Sequence, residues 1–264
     1  MVNASRLKTV IFQFLDIFAL IGWAALLFKY WITGQLSLLI HPNYFGLVFA
    51  TSIVLFVLGI WKIRMVLKQW QGNSASIEPE SDRHITLLPK SLGTGLLLLA
   101  AILGLLIAPR PLNSQIAVQR GISESLPVTR VQAQSFRAVV KPEEKTLIDW
   151  VRTLNAYPEP DEYTGQPAKV SGFVVHLPQL PDNYLLISRF ILTCCAVDAY
   201  PVGLPVKLTG SRNSYPPDTW LEIEGEMFTE ALPLEVGKSD TRRQLAIAAR
   251  SVKPIPTPAD PYGY

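Results

Sequence analysis

Three apolar segments of membrane length fill the first 110 residues of this chain, and they constrain its fold more than any other feature. A helix needs about 20 apolar residues to cross a bilayer core of about 30 Å. The first segment runs from about Val10 to Trp31, the second from about Tyr44 to Ile63 and the third from about Ile85 to Ala108, densest at Leu96–Ile107. The first exceeds the length of a signal-peptide apolar region, and no small-residue cleavage site follows it, so it is expected to remain as a span. Hydrophobic residues make up 49% of the chain and charged ones 17%, a balance that disfavours an all-soluble protein.

Lys and Arg near span ends set orientation. Arg6 and Lys8 precede the first segment, and Lys62, Arg64, Lys68, Arg83 and Lys90 lie between the second and third. The first loop offers only Lys29. The N-terminus and the second loop are therefore expected in the cytoplasm, and three crossings carry everything from Arg110 onward outside it. Tyr30, Trp31, Tyr44, Trp61 and Trp70 sit near segment ends, as an aromatic belt requires. This predicts a multi-pass plasma-membrane protein. Asp16 falls inside the first segment, where an ionisable group marks either a functional site or a carboxylate bonded to a partner helix. Gly93, Gly95 and Gly104 permit close helix contact but form no GxxxG repeat.

The remainder reads as soluble and strand-rich. Residues 71–84 are polar and read as a loop, and residues 110–141 as a linker. Residues 142–154 predict a short helix, with Pro142 in its first turn and Leu147, Ile148, Val151 and Leu154 as one stripe. The period then switches to two. Strands are expected at Lys169–His176, Tyr184–Thr193, Val206–Gly210, Thr219–Thr229 and Leu245–Val252. In the fourth, Leu221, Ile223 and Met227 alternate with Glu222, Glu224 and Glu226. The expected fold class is α + β: three transmembrane helices over residues 1–109, then a small OB-like barrel over 142–253, with a disordered proline-rich tail over 254–264. A small sandwich is the alternative.

A nucleic-acid partner is not expected. The net charge is only +3, and the carboxylate stripe of the fourth strand repels phosphate. Nucleophile elbow, HExxH, phosphate loop and glycine fingerprint are all missing, so no enzyme is predicted.

Both cysteines stand side by side at Cys194 and Cys195, followed by Asp198. Thiolates bind soft ions such as zinc or copper, and a carboxylate can join them. In an extended strand adjacent side chains point to opposite faces, so both sulfurs reach one ion only if the strand has ended near Thr193. His176 is expected about 30 Å away along the hairpin. Two other readings stay open. The thiols can oxidise to a vicinal or intermolecular disulfide, or Cys194 can pack in the core beside Phe190 and Leu192.

The stretch Tyr163–Leu204, with Gly172-Phe173-Val174, Arg189-Phe190 and Cys194-Cys195-x-x-Asp198-Ala199, followed by Trp220 and Gly225, resembles the YcgQ family of bacterial permease subunits. The resemblance implies a small membrane protein acting with a separate polytopic permease of the YcgR/ArsP-like type, in metal or metalloid handling. It places the family's Cys-Cys-x-x-Asp motif on Cys194, Cys195 and Asp198, and its Arg-Phe pair on Arg189 and Phe190. The expected role is a non-catalytic accessory subunit that captures or gates a soft ion, with a membrane-tethered thiol redox protein or an interaction scaffold as alternatives.

Overall fold

The computed structural model describes residues 4–70, 90–122, 141–233 and 242–263 of the 264. The 71–84 loop, the expected start of the third segment at Ile85, His84, Arg83, Pro89 and residues 123–140 of the linker lie outside the described residues. Two compact units emerge, Met1–Arg110 and Pro111–Tyr264.

The first unit holds α1 (Ala4–Ile32), α2 (Phe45–Trp70) and α3 (Lys90–Leu106). Within α1 the stretch Ile11–Ile32, and around α2 the stretch Pro42–Trp70, are long and apolar enough to cross a membrane. The apolar part of α3, Leu92–Leu106, is shorter. The 17 residues of α3 rise about 26 Å at about 1.5 Å each, just short of a bilayer core. The second helix also outruns its expected end at Ile63. Lys62, Arg64 and Lys68 belong to α2, because long straight side chains favour helix and cations favour its C-terminal end.

Small residues set the contacts of α1. A Cβ on Gly59 would meet Ile21 at 2.9 Å, and one on Gly104 would meet Leu26 at 2.8 Å, whereas Gly93 and Gly95 have nothing within 4 Å. Of the three glycines that sequence offers for close packing, only Gly104 serves it. Polar rungs join the helices as well. Lys62 Nζ on α2 lies 2.5 Å from Asp16 Oδ2, and Thr94 Oγ1 on α3 donates to Asp16 Oδ1 at 2.9 Å. Near the other end of α1, Lys29 Nζ and Tyr30 OH donate to the carbonyls of Leu105 and Gly104, both at 2.7 Å. Those carbonyls belong to the last turn of α3, whose acceptors have no partner inside the helix. The early part of α1 thus meets the late part of α2 and the early part of α3, so α3 runs parallel to α1 and α2 antiparallel.

The second unit begins with α4 (Ser114–Arg120) and α5 (Leu147–Ala156). In α5, Thr146 and Asp149 form a reciprocal capping box, so the α-helix starts later than Pro142, which instead opens a short 3-10 turn. The barrel strands are β1 (Pro167–Val175), β2 (Tyr184–Ile191), β3 (Tyr200–Lys207), β4 (Trp220–Leu232) and β5 (Arg242–Pro254), joined by the two-residue β6 (Tyr262–Gly263). β1 pairs with both β4 and β2, and the remaining pairings β4–β5, β5–β3 and β3–β2 close a five-stranded barrel. Only β3 and β5 run parallel within it, at Val206↔Ile247 and Lys207↔Ala248. The interior is filled from every strand, with Val174, Leu185, Ile187, Val202, Val206, Leu221, Ile223 and Ile247 at 1% exposure or less. Leu147, Ile148, Trp150 and Val151 of α5 join the same core.

Closure needs bending. Glu224 pairs with Ser251 and Gly225 with Ala249, so Arg250 is an extra residue on β5. Such a bulge coils the strand pair. At the bulge a Cβ on Gly225 would run into the carbonyl oxygen of Ala248, so glycine is required there.

Two expectations are corrected. The third strand lies at Tyr200–Lys207 rather than Val206–Gly210. The observed strand contains Pro201 and Pro205; β5 pairs with β3 only at its last two residues, and an edge without a full ladder tolerates proline. The tail is also not free. Tyr262 is 3% exposed, β6 pairs in parallel with Phe190 and Ile191, and the Tyr262 ring meets Phe190 edge-on at 6.3 Å. A buried aromatic provides the burial that a proline-rich composition hides.

Candidate functional site

Strand pairing of β2 ends at Ile191, and Leu192 N donates to Gly263 O at 2.9 Å. The chain then bends through Thr193 and Cys194 and turns through Ala196–Asp198, where Asp198 N donates to Cys195 O at 3.1 Å. The strand has therefore ended before the cysteines, which is the condition for both sulfurs to converge. Cys194 Sγ and Cys195 Sγ lie 3.7 Å apart. Together with a carboxylate oxygen of Asp198 they give three ligand atoms within 4.8 Å of one another. Two thiols and a carboxylate are a donor set for a soft or borderline cation, so the residues present fit such an ion.

Asp198 is held by its own loop. Its Oδ2 accepts Cys194 N–H at 2.9 Å and its Oδ1 accepts Cys195 N–H at 3.1 Å. An acidic side chain bonding backbone a few residues away is a common way to fold a tight loop. Burial raises the Asp198 pKa, but the Cys194 thiol and the backbone N–H groups of Cys195, Cys194 and Thr193 outweigh it and hold the carboxyl below its usual range. Reciprocally, the bond to Asp198, then that to Cys195, pushes the Cys194 thiol up to about 11. Cys194 is exposed and Cys195 half-buried, and Val197 at the turn is 85% exposed. Phe190 and Leu192 are core residues, but the bend after Ile191 carries Cys194 away from them, which corrects the packing alternative.

Arg120 completes the loop. From the end of α4 its Nη1 donates to Ala196 O at 3.2 Å and, more closely, to Ala199 O. At its other end α4 is fixed by Ser114 N to Asp218 Oδ1 at 2.5 Å, just after Leu112 N donates to Tyr262 OH at 2.9 Å. In the sequence this stretch reads as linker, and nothing there singles out Arg120. The signal for α4 itself is a short one: Asn113 caps α4 by accepting from Ile116 N, and Gly121 follows at φ +75°.

The other candidates fall elsewhere. Arg189 stacks on Trp220 with its guanidinium carbon 5.4 Å from the ring centre. Burial lowers its pKa against the pull of Asp260, and its Nε finds no hydrogen-bond partner among the described residues. Phe173 stacks on Phe190 at 5.5 Å. Val175↔Leu186 is the last β1–β2 pair, so His176 follows at the barrel end opposite the thiols, and its Nε2 lies 2.9 Å from Tyr215 O. Asp16 belongs to the helical unit and is bonded there as described. Glu222 and Glu224 pair with Lys169, at 3.6 and 2.7 Å, and Glu226 pairs with Arg250.

Residues 15–123 match the DUF1980 N-terminal domain and residues 129–264 match the DUF1980 C-terminal domain. The chain belongs to the DUF1980 family. No curated protein matches it. The DUF1980 division does not coincide with the division into compact units. The N-terminal DUF1980 domain takes in α4, which packs on the barrel, so the arginine and the loop it holds come from different DUF1980 domains.

Proposed function

We propose that this chain is a YcgQ-type, non-catalytic accessory subunit of a polytopic membrane permease, and that its barrel captures or gates a soft metal or metalloid ion through Cys194, Cys195 and Asp198. One observation carries the reading: two thiols and a carboxylate converge within 4.8 Å on a loop that exposes Cys194. The neighbouring motifs have packing roles that leave no such surplus. Phe173 stacks on Phe190, Arg189 on Trp220, and Gly225 sits at the bulge. A Cys-Cys pair contributes nothing comparable to the core when it is turned outward.

The barrel is read as OB-type because its strands neighbour one another in the order β1-β2-β3-β5-β4. A third crossing by α3 is supported by its parallel course beside α1, with bonds from Thr94 near one end to Gly104 and Leu105 near the other. The charge bias then favours a cytoplasmic N-terminus and an extracytoplasmic barrel. Three spans are few for a pore, which favours a partner permease. A redox role needs a reactive thiolate, and the Cys194 pKa is raised, a cost that ion capture meets by exchanging the thiol proton for a metal–sulfur bond.

The test is to purify the full chain in detergent, intact and as Cys194→Ser/Cys195→Ser, and to measure bound zinc and copper and the proteins that accompany it. Metal retained by the intact chain alone, with a permease co-purifying, is the expected result. Equal and near-zero binding by both forms removes the capture role.

A further inference from the structure

We infer that Cys194 and Cys195 form a two-thiolate clamp for a four-coordinate soft divalent cation of the zinc class, with Asp198 as a positioning residue and two coordination positions left open for exchange. This rests on the capture reading above. The first argument is the bite of the pair. Two bonds of about 2.3 Å at a tetrahedral angle put sulfurs about 3.8 Å apart, and the sulfurs here are 3.7 Å apart. A linear two-coordinate ion with bonds of that length needs about 4.6 Å, and a disulfide needs about 2.05 Å. Either would strain a loop whose backbone is tied down on both sides of the thiols.

The second argument concerns Asp198. Both of its oxygens already accept N–H groups from the residues that carry the sulfurs. Those bonds fix the two Cα–Cβ vectors, so the carboxylate acts on the ion through the geometry of the thiols. Arg120 works from the far side, holding the carbonyls of Ala196 and Ala199. The third argument is access. No further His, Cys, Asp or Glu joins the cluster among the described residues, and the loop is exposed at Cys194 and Val197. Sites that store an ion are closed by protein ligands, and sites that act on it keep positions open. An ion on two thiolates passes readily to an incoming ligand. Binding replaces the proton on each thiol with a metal–sulfur bond, releases two protons to solvent and changes no oxidation state.

The test is a Co(II) titration of the reduced full chain in detergent, followed by added mercaptoethanol, with Cd(II) as a second probe. The expected result is one Co(II) with intense tetrahedral bands, which shift on adding the thiol while cobalt stays bound. Cys195→Ser should lose the bands. Asp198→Asn should reach the same spectrum at saturation, because the carboxylate is not one of the ion's ligands. Weak octahedral bands, bands unmoved by the added thiol, or a changed saturated spectrum in Asp198→Asn would overturn the clamp and leave ion capture standing. Retention of neither Co(II) nor Cd(II) by the intact chain would remove the capture reading and the clamp together.

Discussion

Arg120 Nη1 lies 3.2 Å from the carbonyl oxygen of Ala196, so a seven-residue helix outside the barrel sides helps to shape the thiol loop. The loop has two tethers, one from Asp198 to the backbone N–H groups before it and one from Arg120 to the carbonyls around it. Each can be cut separately.

Arg120→Ala should leave the barrel folded and loosen the loop. A hydrogen bond from a charged donor contributes about 1.5–3 kcal/mol when well shielded, and this exposed side chain should give about 1 kcal/mol. Hydrogen exchange should rise at residues 194–199 and stay unchanged in β4 and β5. Uniform loss of protection across the sheet would contradict the tether.

The thiol–carboxylate pair predicts a pH dependence with a definite sign. An ordinary cysteine titrates near about 8.5, and Cys194 is pushed up to about 11. The folded loop therefore binds this proton more tightly than the unfolded chain. Its contribution to loop order is full below the unfolded value and is lost as pH rises through the folded one. Asp198, whose carboxyl is lowered, contributes above the ordinary carboxylate value and stops contributing as pH falls through its folded value. Asp198→Asn should raise the alkylation rate of Cys194 at pH 8 by on the order of tenfold or more, because more thiolate is present. An unchanged rate would show that the carboxylate does not hold the thiol proton.

Asp16 and Lys62 should behave as a coupled pair. Asp16→Ala leaves Lys62 without its carboxylate beside apolar helix faces, and Lys62→Ala leaves the Asp16 carboxylate with Thr94 but without its countercharge. The double variant should recover part of the loss, with a coupling of about 1 kcal/mol, typical of polar contacts between membrane helices. Thermal unfolding of all four forms in detergent measures it. Strict additivity would mean that the contact carries no stability.

Tyr262→Phe should cost about 1 kcal/mol through the bond to Leu112 N. Tyr262→Ala should cost about 3–5 kcal/mol, as large-to-small changes of buried aromatics do. Denaturant unfolding measures both. A neutral Tyr262→Ala would mean that the tail does not stabilise the barrel.

The residues show why some of this was legible in the sequence. The Leu221–Ile223–Met227 alternation placed β4 correctly because one face of a barrel strand is dry and the other wet. The adjacency of Cys194, Cys195 and Asp198 made the candidate cluster visible, since all three residues lie on one short loop. What failed was set by distant residues. The position of β3 depended on how little of it β5 covers, and proline propensity cannot report that. The order of the tail depended on Phe190 offering a ring to Tyr262. The partners of Asp16 lie 46 and 78 residues away in sequence. Arg120 was missed because a helix of seven residues has too few turns for a stripe to be recognised.

The parallel pairing of β6 with the end of β2 bears on how the protein can be labelled. A reporter joined directly to the last residue would pull on a two-residue strand that shares its ladder with the thiol loop, through Gly263 and Leu192. Such a fusion would perturb the corner of the barrel from which the thiol loop leaves. A flexible spacer, or a probe carried at the exposed Asn213 turn between β3 and β4, would leave that corner of the barrel intact.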